Sequence, residues 1–179
     1  MPDYVAFLRA INLGKNRKFP MAELRACLGA EGFSDVETYI ASGNVRLRSP
    51  LRSTTKVAEH MERIFEKDRG FVVRTLVFTP TELRQVYADA AGLAAPLSGD
   101  VRRYVTLLRT PAPLKAAAEI EAIELEGEAA RAVGRAVHLW IRDGYQNSRI
   151  NNARIEKLLG VATTRDLKVI TTLAQRWGA

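Results

Sequence analysis

The sequence has few of the residues that carry metal and covalent chemistry. Its 179 residues include one cysteine and two histidines, so the chain cannot form an internal disulfide framework. His60 and His138 are far apart, and no further cysteine or histidine accompanies them, which disfavours a zinc site.

The common catalytic and cofactor-binding motifs are also absent. The chain has no G-x-S-x-G nucleophile elbow, no G-x-G-x-x-G dinucleotide loop and no H-E-x-x-H metal site. Cys27 falls on the apolar stripe of a predicted helix, which favours a core thiol over a nucleophile. We therefore expect no metal and no cofactor.

Long apolar segments are missing as well. No apolar run approaches the length that a membrane-spanning helix needs. The opening residues, MPDYVAFLRAINLG, have neither the basic segment nor the long apolar segment of a signal peptide. Together these absences predict a cytoplasmic protein with no membrane partner.

Aromatic residues make up only 7% of the chain. A β-α-β-β-α-β fold that binds RNA stacks bases on aromatic residues of its first and third strands. Tyr4 and Phe7 lie in the first predicted strand, but the third contains none. Sequence-specific RNA recognition is therefore disfavoured, although Arg46 and Arg48 share a face of the third strand and could contact phosphates.

What the chain does have is positive charge. Lysine and arginine number 27 against 20 aspartates and glutamates, which gives a net charge of +7 and a pI near 9.9. The excess lies in residues 1–78 and 146–179. It is consistent either with simple solubility or with an anionic partner, such as a nucleic acid backbone or a phosphorylated small molecule.

Residues 1–78 follow a β-α-β-β-α-β pattern. Residues 3–12 are apolar on both alternating faces apart from Arg9, which predicts a central strand. Pro20 then opens a helix, and a hairpin turns at Gly43. A second helix and a last strand complete the order of a ferredoxin-like fold.

The rest of the chain predicts a helix with its linker and then a second, weaker series. Residues 79–100 begin with the capping box T-P-T-E and end in a stretch rich in alanine, glycine and proline. Within residues 101–179 the predicted strands cover 102–109, 120–127 and 135–142, and the predicted helices begin at Pro113, Asn151 and Thr163. The predicted fold class is thus α+β, with two ferredoxin-like halves, antiparallel sheets and a C-terminal helix.

Five glutamates in this second half could form an acidic site or the solvent-facing side of a strand. They are Glu119, Glu121, Glu124, Glu126 and Glu128. Their alternation with apolar residues favours the solvent-facing side of an antiparallel strand.

A basic loop follows the first predicted strand. It contains Lys15, Arg17 and Lys18 and leads to the helix that begins at Pro20. Cations and backbone N–H groups at the end of a strand are the usual parts of an anion site. The loop is not a P-loop, because Asn16 stands where a serine or threonine would bind magnesium. It predicts either an anion site or a solvated run of charge.

Three further features could complete such a site. Arg9 is a charge in an apolar strand, so it is either paired inside the protein or directed at a ligand. The turn 41–44 is either a plain hairpin turn or part of the site, if it lies beside the end of the first strand. Segment 163–166 predicts a helix start at which a threonine caps the helix and Arg165 adds a cation to the positive end of the dipole.

Both ends of the chain also carry the pattern of a bacterial family. RAINLGKNRKFPM and TYIASGNV resemble L-R-G-I-N-V-G-G and T-Y-I-x-S-G-N-V, and residues 148–175 resemble a closing T-x-R-N-W-x-T pattern. The family that these patterns resemble is domain of unknown function 1697 (DUF1697). The resemblance implies two ferredoxin-like α+β halves and no established activity, substrate or cofactor.

The match holds at most but not all positions of the patterns. The matching residues are Arg9, Asn12, Gly14, Tyr39, Ser42, Gly43, Asn44, Thr164 and Arg165. Ala10 and Lys15 replace glycines of the pattern, and Asp166 and Leu167 replace its Asn-Trp pair. The candidate ligand-binding residues are Arg9, Asn12, Gly14, Lys15, Ser42, Gly43, Asn44, Thr164 and Arg165.

Three functions remain open at this point. The favoured one is a binding module for a phosphate-bearing or other anionic ligand, including a nucleic acid backbone. A metal-independent enzyme would require Arg9, Asn12, Ser42 and Arg165 to converge on one small anionic substrate. An interaction protein or homodimer would pair through its sheets or their edges.

Overall fold

The computed structural model describes all residues, 1–179, and they form two compact units. The first unit comprises Met1–Leu83 with Trp177–Ala179, and the second comprises Arg84–Arg176. Each contains one four-stranded sheet in which all neighbouring strands are antiparallel. None of the helices combines the length and the apolar composition that crossing a membrane requires.

The first sheet belongs to a complete β-α-β-β-α-β series with a helix after it. The elements are β1 (Asp3–Leu8), α1 (Met21–Ala30), β2 (Ser34–Tyr39), β3 (Asn44–Arg48), α2 (Thr54–Arg69), β4 (Thr75–Phe78) and α3 (Pro80–Gly92). The strand order is β2-β3-β1-β4. The ferredoxin-like prediction for this half is confirmed.

The second sheet repeats the same order of elements. They are β5 (Arg102–Leu108), α4 (Leu114–Glu121), β6 (Glu128–Val133), β7 (Ala136–Ile141), a single 3-10 turn (Tyr145–Asn147), α5 (Asn152–Leu159), β8 (Ala162–Asp166) and α6 (Leu167–Trp177). The strand order β6-β7-β5-β8 matches that of the first sheet position by position. The predicted pair of α+β halves with a C-terminal helix is therefore confirmed.

Backbone hydrogen bonds at the end of the first strand of each half are equivalent. The Leu8 N–H donates to the Gly43 carbonyl in the β2–β3 turn, at 2.8 Å, and the Leu108 N–H donates to the Arg135 carbonyl in the β6–β7 turn, at 2.9 Å. An arginine follows in both halves: Arg9 and Arg109 come directly after the strand. The repeat is thus present at the level of individual residues, although the two halves share little sequence.

A glutamate clamp recurs in the same way. Glu62 on α2 accepts the Thr75 N–H at the start of β4, and Glu156 on α5 accepts the Ala162 N–H at the start of β8, at 2.9 and 3.0 Å. Each carboxylate satisfies a backbone donor at the first residue of the last strand, where an unpaired buried N–H would cost about 1–3 kcal/mol. The last strand of each half is fixed to the second helix by the same device.

In the first unit, the core lies between the sheet and the two helices α1 and α2. All residues of β1 from Tyr4 to Leu8 are buried, as a central strand requires. Phe19, just before α1, meets Phe65 of α2 edge to face with ring centroids 5.1 Å apart. Gly70 ends α2 in the left-handed conformation, at φ 73°.

The predicted strand over 120–127 is wrong. Residues Leu114–Glu121 form α4 and the strand follows later, as β6. Pro113 and the alanine-rich stretch after it favour a helix, and that helix buries Ile120 completely. The alternating glutamates therefore do not line one face of a strand.

Two of these glutamates instead bind backbone donors. Glu121 accepts the Ala132 N–H of the edge strand β6 at 2.8 Å. Glu128 accepts the Ser148 hydroxyl and the N–H groups of Arg149 and Ile150 at 2.8–3.1 Å. Burial raises the pKa of Glu128, but these hydrogen bonds outweigh it and the net pKa is lowered.

Candidate functional site

Two loops lie side by side at one end of the first sheet. Residues 9–19 connect β1 to α1, and residues 40–43 connect β2 to β3; we call them the loop pair. The Leu8–Gly43 backbone bond joins them at their base, and the Asn12 side-chain amide donates to the Ala41 carbonyl at 2.8 Å. The condition that the turn lie beside the end of the first strand is therefore met.

Asn12 is the residue that gives the loop pair its shape. Its Nδ2 donates to the carbonyls of Phe19 and Ala41, at 2.9 and 2.8 Å, and its Oδ1 accepts the Phe19 N–H at 2.7 Å. Its own N–H donates to the Arg17 carbonyl at 3.0 Å. The amide is thus occupied by the protein backbone, so its role is structural.

Replacing Asn12 with aspartate tests that role. The variant Asn12→Asp keeps the acceptor for the Phe19 N–H, but it loses both donors and places a carboxylate against two carbonyl oxygens. We expect a loss of about 2 kcal/mol in the free energy of unfolding, measured by urea denaturation. Asn16→Asp is the control, because Asn16 is exposed in the same loop and makes no such bonds; an equal loss in both variants would contradict the assignment.

Arg17 also shapes the loop. Its Nε donates to the Ala10 carbonyl at 2.7 Å and its Nη2 to the Val72 carbonyl at 2.6 Å. Its guanidinium lies 4.8 Å from the centroid of the Phe71 ring, a cation–π distance. Of the three cations in the basic loop, this one is committed to the fold.

The backbone of the loop pair is strained. Four residues other than glycine have φ between 51° and 55°: Ala10, Asn12, Arg17 and Ile40. Ile40 is the most unusual, because a β-branched side chain rarely adopts this conformation, and it is also 47% exposed. Strain of this kind persists only where the surrounding structure enforces it, and it is concentrated at functional sites.

Lys15 and Lys18 are the cations that remain available to a ligand. Both are exposed and neither has an ion-pair or hydrogen-bond partner. Gly14, beside Lys15, is open, with no atom within 4 Å of the place where a Cβ would stand. Neither loop contains an aspartate or glutamate, so no carboxylate within the pair competes with an incoming anion.

The turn residues divide into exposed and buried members. Ser42 is exposed, whereas Asn44 is fully buried and its Nδ2 donates to the Tyr39 carbonyl at 2.9 Å and the Ser42 hydroxyl at 3.1 Å. Gly43 is buried against Leu8. Only Ser42 of these three is placed where a ligand in solution could contact its side chain.

Arg9 lies just outside the strand rather than within it. β1 ends at Leu8, and the Arg9 N–H donates to the Arg74 carbonyl at 2.8 Å. Its side chain is half-buried.

The predicted helix start at Thr163-Thr164 is wrong. Both residues lie in β8, whose threonines pair with β5, so their β-branched side chains fit a strand. The helix begins at Leu167, and Asp166 caps it by accepting the Lys168 N–H at 2.7 Å. The positive end of this helix dipole therefore already carries a carboxylate, and Arg165 does not lie there.

Thr164 and Arg165 are instead parts of the packed second unit. The Thr164 hydroxyl bonds to Thr106, Tyr145 and Asn152 at 2.8–3.2 Å. Arg165 is 8% exposed and its Nη1 donates to the Thr163 hydroxyl and the Thr164 carbonyl. Burial lowers the pKa of Arg165 to about 10.

Arg46 and Arg48, which could have offered a phosphate surface on β3, are ion-paired. Arg46 contacts Asp3 at 2.9 Å and Glu37 at 3.1 Å, and Arg48 contacts Asp3 at 3.4 Å and Asp35 at 3.3 Å. The four contacts bring the charge of this face close to balance. The face therefore offers little attraction for a phosphate backbone.

Cys27 has the properties predicted for a structural thiol. It packs at the edge of the first core. Burial, with a smaller contribution from Asp68, raises its pKa to about 11, so the thiolate that nucleophilic chemistry needs is scarce at neutral pH.

Sequence reasoning missed an orphaned polar pair in the second unit. His138 is 1% exposed, Trp140 is fully buried, and neither the His138 ring nitrogens nor Trp140 Nε1 has a hydrogen-bond partner. Burial, together with Arg103, lowers the pKa of His138 to about 4, against a smaller opposing effect of Asp89. The strand predicted over 135–142 contains both residues, but the sequence gives no sign that their polar atoms lack hydrogen-bond partners.

The fold and the loop pair define a protein of two ferredoxin-like halves that carries a strained, basic loop on the first of them. Residues 1–138 match the family described as "Protein of unknown function (DUF1697)", and the chain belongs to that family. No curated protein matches the chain.

A solved structure agrees with the fold over the full length. It is that of the conserved bacterial protein SP0830 from Streptococcus pneumoniae, which is 25% identical in sequence. The likeness covers 100% of this chain and 99% of that one, with a TM-score of 0.77. The similarity therefore includes the C-terminal residues beyond the family match.

Proposed function

We propose that the protein is a cytoplasmic binding module for a phosphate-bearing or other anionic ligand, and that the loop pair is its binding site. One observation carries the proposal: Lys15 and Lys18 are exposed and unpaired on a loop whose shape other residues hold. Asn12 and Arg17 fix the loop, so the two ammonium groups are presented without a cost of ordering the backbone on binding.

The charge environment supports the same ligand class. The loop pair has no carboxylate, whereas Arg46 and Arg48 on the neighbouring sheet face are balanced by acidic partners. Two free lysines on one loop and an exposed Ser42 on the other suit a phosphate or carboxylate, which binds point charges and hydrogen-bond donors.

The two alternatives receive less support. A metal-independent enzyme would use Asn12 and Arg165, but the polar atoms of Asn12 are bonded to backbone groups and Arg165 donates to its own strand. The edge strands of the two sheets, through which a homodimer would pair, are β2, β4, β6 and β8. Pairing at β2 is hindered by a bulge between Ser34 and Glu37, and in β6 the Ala132 N–H already binds Glu121.

The double variant Lys15→Ala/Lys18→Ala tests the site. Binding of ATP and of a fluorescein-labelled single-stranded oligonucleotide is measured by isothermal titration and fluorescence anisotropy at low salt. We expect the double variant to weaken binding at least about tenfold, since each lost phosphate contact removes a favourable electrostatic contribution.

The matched control removes the same charge elsewhere. Lys115→Ala/Lys157→Ala changes two exposed lysines of α4 and α5 that also have no partner. If this variant weakens binding as much as the loop variant does, the effect is one of net charge and the site is wrongly assigned. If neither ATP nor the oligonucleotide binds the wild-type protein at low salt, the proposal fails.

A further inference from the structure

A small cavity lies in the first unit, formed by three segments. It has a volume of about 230 Å³ and is lined by residues 31–33 after α1, by residues 49–51 after β3 and by one face of α2. This volume is below that of a drug-sized site, about 300–1,000 Å³. The cavity therefore suits a ligand of the size of a single ring with one substituent.

The walls of the cavity are mostly apolar. Phe33 is 4% exposed and its ring lies 5.5 Å from the His60 ring, centroid to centroid, at an interplanar angle of 41°. Pro50 and Leu51 contribute to the lining, and the Leu51 carbonyl is held by the Tyr4 hydroxyl at 2.7 Å. A flat apolar body would contact ring surfaces and aliphatic carbon in this space.

Three hydrogen-bond donors line the same cavity. Arg63 and His60 are three residues apart on α2 and therefore share a face, and neither has a hydrogen-bond or ion-pair partner within the protein. Ser49 is 1% exposed and its Oγ accepts the Leu51 N–H at 3.2 Å, which leaves its own hydrogen available. A ligand with an apolar body and an anionic group requires an apolar surface with free hydrogen-bond donors beside it.

The one acidic group in the lining is already paired. Glu31 lies 3.6 Å from the ammonium of Lys67, so it has a cationic partner of its own, and Arg63 is the cation of the cavity lining. A planar carboxylate fits the guanidinium of Arg63 through two parallel hydrogen bonds, a geometry that a lysine could not offer.

We propose that this cavity binds a small aromatic carboxylate, with the ring against Phe33 and His60 and the carboxylate on Arg63 and the Ser49 hydroxyl. This site is separate from the loop pair in the residues that form it, and it requires no lysine of that loop.

Sodium benzoate is the probe, and backbone amide NMR of the full chain is the measurement. We expect saturable shifts at Phe33, Ser49 and Arg63 with a millimolar dissociation constant, in keeping with so few ligand atoms. Benzamide, the uncharged analogue, should bind at least about tenfold more weakly. Arg63→Gln should weaken benzoate binding by about tenfold, and Arg63 is exposed, so the variant should fold.

Two controls make the result decisive. Lys56→Gln removes a cation from the exposed side of α2, outside the cavity lining, and should leave benzoate binding unchanged. Lys15→Ala/Lys18→Ala should also leave it unchanged, which separates this site from the loop pair. The proposal is overturned if benzoate causes no saturable shift, if benzamide binds equally well, or if Arg63→Gln has no larger effect than Lys56→Gln.

Discussion

Replacing Gly43 with alanine is expected to remove about 3 kcal/mol from the free energy of unfolding. Gly43 has φ +82°, and a Cβ built there lies 2.8 Å from both Leu8 Cβ and Ile11 Cδ1. The left-handed conformation costs an alanine about 1 kcal/mol, and relieving the overlap in a packed site costs about 1–3 kcal/mol more. Leu8 Cβ cannot move away without moving β1.

Gly14 provides the matched comparison. It also has a positive φ, +59°, but no atom lies within 4 Å of its missing Cβ. Gly14→Ala should therefore show the backbone cost alone, about 1 kcal/mol. Urea denaturation of both variants measures the two costs, provided that the dependence of the unfolding free energy on urea concentration is unchanged. The difference between the variants is the cost of the overlap with Leu8 and Ile11. If Gly43→Ala loses no more stability than Gly14→Ala, that close approach has no energetic consequence.

The second large effect expected is a loss of stability in mild acid caused by His138. Its pKa is about 4 in the folded protein, against 6.5 for an ordinary histidine. Burial disfavours the charged ring, so below pH 6.5 the unfolded chain binds a proton that the folded protein does not. The share of the unfolding free energy that depends on a neutral His138 is fully present above pH 6.5. As the pH falls towards 4, up to about 3 kcal/mol of it is lost.

Substituting His138 with leucine should remove this dependence. The variant His138→Leu keeps the side-chain volume nearly unchanged and eliminates two buried ring nitrogens that have no hydrogen-bond partner, so stability at pH 7 should be equal or higher. Its unfolding free energy should fall less than that of the wild type between pH 6.5 and 4. His60→Gln is the control, and it should keep the wild-type slope because the His138 ring is untouched; parallel slopes for His138→Leu and wild type would refute the assignment.

The sequence predicted best where local signals agree with the fold. The apolar run of β1, the proline before α1 and the glycine after α2 each specify an element by backbone chemistry alone. The T-P-T-E capping box is also present, with Thr79 and Glu82 exchanging hydrogen bonds at 2.7 and 3.1 Å. These signals do not depend on distant residues.

The wrong predictions arose where local patterns are ambiguous. The alternating glutamates of 119–128 fit either a strand or the exposed face of a helix. Residues up to Glu121 form a helix, because the helix buries Ile120. Thr163-Thr164 fit a helix cap or a strand, and pairing with β5 decided for the strand. In both cases a contact distant in sequence outweighed the local preference.

The roles within the candidate site were the least predictable part. Asn12 and Lys15 are equally polar in the sequence, yet one is bonded to residues 7 and 29 positions away and the other is free. A single sequence does not reveal which polar group a distant carbonyl will occupy. The resemblance to the family marked the segment, and the hydrogen bonds separated the residues that build it from those that face solvent.

That separation bears on how the surface could change over evolutionary time. The loop is held at Asn12 and Arg17, so substitutions at positions 13, 15, 16 and 18 change the side chains that the loop exposes without removing the bonds that hold it. Leu13, 64% exposed, is one of these positions, whereas Gly14 is restricted by its positive φ of +59°. Exchanging these exposed side chains therefore changes the charge and shape of this surface, while the hydrogen bonds of Asn12 and Arg17 keep the backbone of the loop in place.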